Sequence, residues 1–531
     1  MPIIDESGYD FQLAWKRLKN EWKDRCFINH PFLLHLIELD SDSWLSELRD
    51  LLRGRYNPSP AIICYEPKPG WLLRPGCSLR INDELAYVAI VGCLLPKIEP
   101  ALRWSQGNPD VSYVLQRNHY SVKWVEAGFR AWANFRSKSL EAARKSEFVV
   151  MIDIAAFYEN IDIGRLISDI KSLGVQEFYV DHLSRFFNRW AEPRGKGIPQ
   201  GYTASDIMAK LYLNSIDQSI RSEGFKHLRY VDDIRVFCSS LREAKSSLHL
   251  IIDRLRLRGL NVQSAKTEIM RADKAIEKID GVAPLIRNIA QELAEELRES
   301  GATVGDYPIS LEELARIVAQ DALSPSVNVL VRAFASHFME STEEKFNRTL
   351  FHYILTRLGL IKSREAVEYC LSILPKRPEE TRFILKYFSD IGADETILNN
   401  IIQYASARHV SSEYQVYQII RFLHEERAEC SGILELARRL VDDRNRPLWL
   451  RSYAFALLGR LGIVADLEHI ESMYSEAANE LEKVDIICAM YRFELSRRNA
   501  VLARASNDGK LVERAIRLVR QGGIGADDRE R

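Results

Sequence analysis

Two adjacent aspartates, Asp232 and Asp233, sit inside RYVDDIRVFC (residues 229–238), a run otherwise rich in Tyr, Val, Ile and Phe. Buried carboxylates without partners are costly, so the pair demands positive charge nearby. Neighbouring side chains of a regular strand point to opposite faces, and two such aspartates can share a cation only at the tip of a tight hairpin. The flanking HLRYV and IRVFC are short, β-branched or aromatic, and predict two strands joined at Asp232-Asp233. A solvated turn is the bland alternative. A third carboxylate, Asp153, closes the apolar run of FVVMIDIAAFYENIDIGRLI (148–167), which predicts a buried strand, a turn and a helix starting near Ile161. At a strand end it can point into a cleft, although a lone aspartate there is more often a cap or a turn residue.

Between the acidic stretches lies GKGIPQGYTASDIMAKLYLNSID (195–217), where Pro199 and Gly201 mark a bend before a helix. Glycine there lets another backbone or a base approach without a Cβ in the way. Downstream, RGLNVQSAKTEIM (258–270) reads as strand, turn and strand, with Lys266 near the turn. Each piece is weak alone, and their order and spacing together are strong. In that order, DIAAFY, GIPQG, YVDD and SAKTEIM resemble the motifs of reverse transcriptases and their relatives. Upstream, YEPKPGWLLRPGCSLRINDELAYVAIVGCLLPKIEP (65–100) looks like the fingers segment, with Lys68 and Arg74 in its basic positions before a helix. The resemblance spans roughly residues 60–275.

That resemblance implies nucleotidyl transfer assisted by two divalent ions about 3.5–4 Å apart. Mg²⁺, with Mn²⁺ as a substitute, suits hard oxygen ligands and substrate phosphates. It implies Asp153, Asp232 and Asp233 as catalytic carboxylates and Asp153, Ile154, Asp232 and Asp233 as metal ligands, with Asp233 mainly tuning charge. Lys68 and Arg74 would neutralise the triphosphate. Gln200, Gly201 and Lys266 would complete the nucleotide site. Tyr158, five residues after Asp153, would stand under the sugar ring, where it clashes with a 2′-hydroxyl and selects dNTPs. Its neighbour Phe157 reads as core.

Two departures shape the expected function. Template-copying members follow the GIPQG turn with a small Ser-Pro pair, whereas Tyr202, Thr203 and Asp206 take those places here. Bulk and negative charge there are expected to crowd a template strand and repel its phosphates. No thumb or nuclease carboxylate set is visible, and helices follow instead. The combination looks like the abortive-infection (Abi) branch of bacterial reverse transcriptases. It implies phage defence, template-independent synthesis primed from a tyrosine hydroxyl, a single-stranded DNA product attached to the protein, and a homo-oligomer. Tyr9 is the candidate primer because a terminus is mobile enough to reach a cleft. The alternatives are an RNA-templated enzyme of retron, group II intron or RNA-associated defence type, and a binding module whose polymerase half is a relic.

The elements that must position these residues form an α+β arrangement: right-hand fingers and palm with an antiparallel sheet, then an all-α region of HEAT-like repeats. The boundaries are residues 1–145 for the N-terminal helical and fingers region, 146–285 for the palm and 286–531 for the helical repeats. In the last region the units recur every 30 to 37 residues. The unit PLWLRSYAFALLGRLGIVADLEHI most resembles a HEAT repeat, through Arg451, Ala454, Leu458, Gly459 and Gly462. A loop with Ser310 as helix cap and Glu313 completing a capping box separates the halves.

A length of 531 residues and hydrophobic content of 46% describe a soluble chain of two or three domains. No apolar run is long enough to cross a membrane. The N-terminus lacks the basic start and apolar core of a signal peptide, which predicts a cytoplasmic protein. The eight cysteines form no C-x-x-C pair. A net charge of −1 gives no bulk pull on nucleic acid. From Arg103 to Glu147, however, eight Lys or Arg face four acids, an excess that suits phosphates or a solvated helix face.

Overall fold

The computed structural model describes residues 8–24, 28–53, 56–104, 107–125, 128–191, 195–299, 311, 314, 328–340, 346–407, 412–522 and 524. Ser310 and Glu313, with their capping box, lie outside the described residues. The chain divides into two compact units: Met1–Ile28, Asp42–Cys64 and Pro75–Gly281 form one, and Asn29–Ser41, Tyr65–Arg74 and Val282–Arg531 form the other.

In chain order the elements up to residue 299 are α1 (Phe11–Asp24), α2 (Leu33–Glu38), α3 (Ser41–Arg53), β1 (Ile62–Lys68), β2 (Leu72–Ser78), α4 (Ile81–Ala101), α5 (Gly128–Ala143), β3 (Phe148–Asp153), α6 (Phe157–Asn160), α7 (Ile163–Ser172), α8 (Glu177–Trp190), α9 (Thr203–Ser222), β4 (Lys226–Tyr230), β5 (Asp233–Cys238), α10 (Leu241–Leu257), β6 (Glu268–Arg271), α11 (Ala272–Asp280) and α12 (Ala283–Glu299).

The first unit is built on an antiparallel sheet with strand order β4-β5-β3-β6. Strand β3 is central because Val149 to Ile152 are buried on both faces, each such side chain contributing roughly 1.5–3 kcal/mol. One face, carrying Val149, Met151 and Phe237, closes on Leu140 and Ala143 of α5 and on Ala275 and Ile279 of α11. Helices α9 and α10 pack on the sheet as well. The strand-turn-strand expected over 258–270 is instead a 3₁₀ turn at Ser264–Lys266 leading into β6, because Val262 makes only an isolated bridge to Ile154.

In the second unit the remaining helices are α13 (Asn328–Phe334), α14 (Arg348–Leu360), α15 (Val367–Ile373), α16 (Thr381–Ile391), α17 (Glu395–Ser406), α18 (Glu413–Glu425), α19 (Gly432–Asp442), α20 (Leu448–Leu461), α21 (Val464–Ser472), α22 (Glu480–Ala489), α23 (Leu495–Arg504) and α24 (Lys510–Arg520). Helices α14, α16, α18, α20, α22 and α24 each contact the next in that series, and α15, α17 and α19 form a parallel row. A Cβ on Gly459 would stand 2.7 Å from the Ala489 backbone, so glycine is what lets α20 and α22 approach. Arg451 is buried between them, donating to the Val441 carbonyl and pairing with Glu482 at 2.8 Å. Residues 29–41 cross this stack: the Asn29 amide donates to the Tyr417 hydroxyl, His30 meets Asp485 at 2.8 Å, and Arg514 donates to the Asp40 carbonyl. Among the described residues no helix is long and apolar enough to cross a membrane.

Candidate active site

Asp153 ends β3 directly opposite Asp233, the first residue of β5. Directly paired residues of antiparallel strands share a sheet face, so both carboxylates lie on the face that carries Met151 and Arg235. The hairpin turn is Val231-Asp232, with Tyr230 paired to Asp233. This shifts the expected Asp232-Asp233 turn by one residue: Asp232 alone occupies it, and Asp233 belongs to the strand. The reason is Val231, which adopts a left-handed φ of 56°, a conformation that β-branched residues avoid. Ala156, in the turn after β3, has a φ of 45°. Such residues store on the order of 1–3 kcal/mol each, and here both flank the carboxylates. The Ile154 amide donates to the Asp232 carbonyl at 3.2 Å and fastens the two turns together.

Charge is distributed unevenly over the three aspartates. Lys266 places its Nζ 3.3 and 3.4 Å from the two oxygens of Asp153. Arg235 donates to Asp233 at 3.3 Å. Asp232 is left without an ion pair among the described residues, and its carboxyl is pushed up to about 6 by burial, then by the charges of Asp153 and Asp233. Burial likewise raises Asp233, with Arg235 opposing it. This is the donor chemistry a divalent cation fits: hard oxygens, mutually repelling, with one carboxylate unanswered. Among the described residues, no three acidic, imidazole or thiol groups close into a ready metal cage. Mg²⁺ does not need one, since it is usually held by one or two carboxylates plus waters and substrate phosphates. Asp153 and Asp232 would hold it, with the Ile154 carbonyl beside them; the Ile154 side chain is buried.

Tyr158 is joined to the GIPQG turn by the backbone, the Ile198 amide donating to the Tyr158 carbonyl at 3.1 Å and the Gly197 amide to that of Ile161 at 2.9 Å. A Cβ on Gly197 would stand 3.3 Å from the Glu159 carbonyl. Gln200 and Gly201 form the turn, Gly201 at a φ of 99° that only glycine adopts freely. The Tyr158 hydroxyl donates to Asp206 at 2.6 Å, and Tyr113 hydrogen-bonds the same carboxyl. Tyr202 is buried, and its hydroxyl accepts from the Leu79 amide at 2.8 Å. The expected crowding of a template by Tyr202 and Asp206 is therefore corrected: one is turned into the core and the other is engaged by two tyrosines.

Burial raises the Asp206 carboxyl to about 7, while hydrogen bonds from Tyr158 and Tyr113 pull it back. The folded protein thus favours the protonated form, and this group's contribution to stability falls as pH rises from about 4 to about 7. Asp206→Asn imitates the protonated state at every pH. Thermal melts should show its stability gaining on the parent protein between pH 4.5 and 7.5, with the difference level above about 7.5.

Tyr9 does not offer a mobile hydroxyl. It is 1% exposed, its hydroxyl lies 2.9 Å from His182 Nδ1, and its ring packs against Phe11, Phe178 and Tyr179. The expectation failed because an aromatic close to a terminus found a core. Lys68 and Arg74 lie on the β1–β2 hairpin, in the stretch that clusters with the second unit. Arg74 stands 3.5 Å from Glu66. Of the basic stretch, Arg103, Arg136 and Lys145 pair with Glu99, Asp280 and Glu141, which suits the solvated-face reading.

Residues 97–299 match the family model for reverse transcriptase (RNA-dependent DNA polymerase). A domain of this kind indicates a nucleotidyltransferase, a DNA polymerase of the reverse transcriptase type. No curated protein matches the chain. A solved structure of telomerase from Candida albicans in complex with the TWJ fragment of telomeric RNA aligns over 89% of this chain and 74% of that chain, at 12% identity and a TM-score of 0.31.

Proposed function

We propose that this protein extends DNA from dNTPs by copying a template, with Asp153 and Asp232 holding Mg²⁺. The observation that carries this reading is the inward disposition of Tyr202 and Asp206 behind the GIPQG turn, which removes the bulk and free charge expected at a template surface. The ions, when bound, neutralise the triphosphate and lower the pKa of the attacking hydroxyl. Lys266, 66% exposed, is free to move from Asp153 to a phosphate once metal neutralises the carboxylates. The test supplies purified protein with Mg²⁺, dNTPs and a primed heteropolymeric RNA or DNA. Product sequence complementary to the template supports the reading; product indifferent to it overturns it.

That second outcome belongs to the other reading, template-independent, protein-primed synthesis by a homo-oligomer in phage defence. It is favoured by the stacked helices that follow the palm and by the resemblance to the Abi branch.

Tyr158 is the residue we assign to sugar discrimination, with Asp206 holding its hydroxyl. Tyr158→Ala should relax dNTP over NTP preference by about 10- to 100-fold, as expected when roughly 1.4–2.8 kcal/mol of steric exclusion is lost. Single-nucleotide incorporation with each nucleotide type reads this ratio. An unchanged ratio would remove Tyr158 from the role.

A further inference from the structure

Trp132 is 45% exposed on α5. It does not stand alone. Its ring meets Tyr230 edge-on, centroids 5.1 Å apart at 78°, and both rings contact Phe135, at 5.7 Å each. Phe135 is fully buried, and the Arg235 guanidinium lies 4.1 Å from its centroid, so the exposed ring rests on a fixed support. The location adds meaning to the cluster. Tyr230 pairs in register with Asp233, which pairs with Asp153, so its ring shares a sheet face and a cross-strand row with the catalytic carboxylates.

Resting on the reading of this site as a DNA polymerase, we propose that Trp132, buttressed by Tyr230 and Phe135, is a stacking platform for a nucleobase of the DNA strand being extended, behind its 3′ end. Every base presents a π-face, so such a platform grips single-stranded DNA without reading its sequence. Arg235 answers Asp233 and sits over Phe135, which lessens repulsion between the carboxylate row and a passing phosphate. Along the same helix Lys138 is exposed and cationic, which suits a polyanionic strand and disfavours a basic protein partner.

The test measures binding of a fluorescein-labelled dT12 oligonucleotide to the full chain by anisotropy, alongside tryptophan quenching. Loss of one base stack is expected to weaken binding of Trp132→Ala by roughly 5- to 150-fold. Trp132→Phe keeps a π-face and should restore most of the affinity, while Phe383→Ala, which removes an exposed ring of the helical stack, should bind like the parent. Wild-type affinity in Trp132→Ala overturns the proposal. So does equal weakening by Trp132→Ala and Trp132→Phe, because a base stack survives on a phenyl face.

Discussion

Asp232→Asn is expected to lower single-nucleotide incorporation by at least about a thousandfold while leaving the fold intact. Neutralising this carboxylate removes the proposed metal ligand at the hairpin tip, which has no ion pair among the described residues. A divalent ion contributes several kcal/mol of charge stabilisation at the transferring phosphoryl group, and each roughly 1.4 kcal/mol is tenfold in rate. Asp153→Asn should behave alike, with the further effect of releasing Lys266. Asp233→Asn should cost less, on the order of tenfold, since that carboxylate is already engaged by Arg235 and tunes the field rather than presenting free oxygens. Removing charge from Asp232 also relieves repulsion with Asp153 and Asp233, so the variant should melt no lower than the parent. Catalysis at more than a few per cent of wild type, by a protein freed of contaminating polymerase, would contradict the assignment of Asp232 as a metal ligand.

The carboxylates were legible in the sequence because acids in apolar β-prone runs stand out against their surroundings, and so were the strands that carry them. The exact turn was not. Placing it at Val231-Asp232 requires a β-branched residue at positive φ, which local propensity argues against and which only tertiary contacts can enforce. Asp206 was read as an obstacle because a sequence does not show whether a helix residue faces outward or toward Tyr158. Residues 29–41 looked like part of the N-terminal region, yet their partners Tyr417, Asp485 and Arg514 lie several hundred positions away. No periodicity signals a contact of that span. Arg229 is opaque in the sequence for a related reason: beside an acidic hairpin a basic residue suggests a phosphate ligand, and only its burial shows another task.

Arg229→Leu is expected to destabilise the protein by about 3–5 kcal/mol, the range for stripping one partner from a buried charge network. Arg229 is 1% exposed and spends its guanidinium on two carboxylates, 2.7 Å from Asp110 and 2.6 Å from Asp217. Lys210 reaches Asp110 at 2.8 Å and His227 reaches Asp217 at 3.1 Å, so the aspartates would keep weaker partners and remain underpaired. Burial alone would raise the Asp217 carboxyl, yet the Arg229 charge and hydrogen bonds from His227 and Arg229 hold it well below the usual carboxylate range. The stability this lends is present above about pH 4 and is lost as pH falls toward the depressed value, so the gap between parent and variant should narrow in acid. One further bond links the network to chemistry: Arg229 Nη1 donates to the Val231 carbonyl at 3.0 Å, bracing the strained turn that presents Asp232. Urea unfolding at pH 7.5 and pH 3 measures the first effect. Incorporation rates, taken at a temperature where the variant is still folded, measure the second. Arg229→Lys keeps a charge but not the planar fork; it should recover part of the stability and little of the turn's support. A variant as stable as the parent yet slow would assign Arg229 to the turn alone, whereas a destabilised variant of full activity would show that Val231 holds its conformation without this brace.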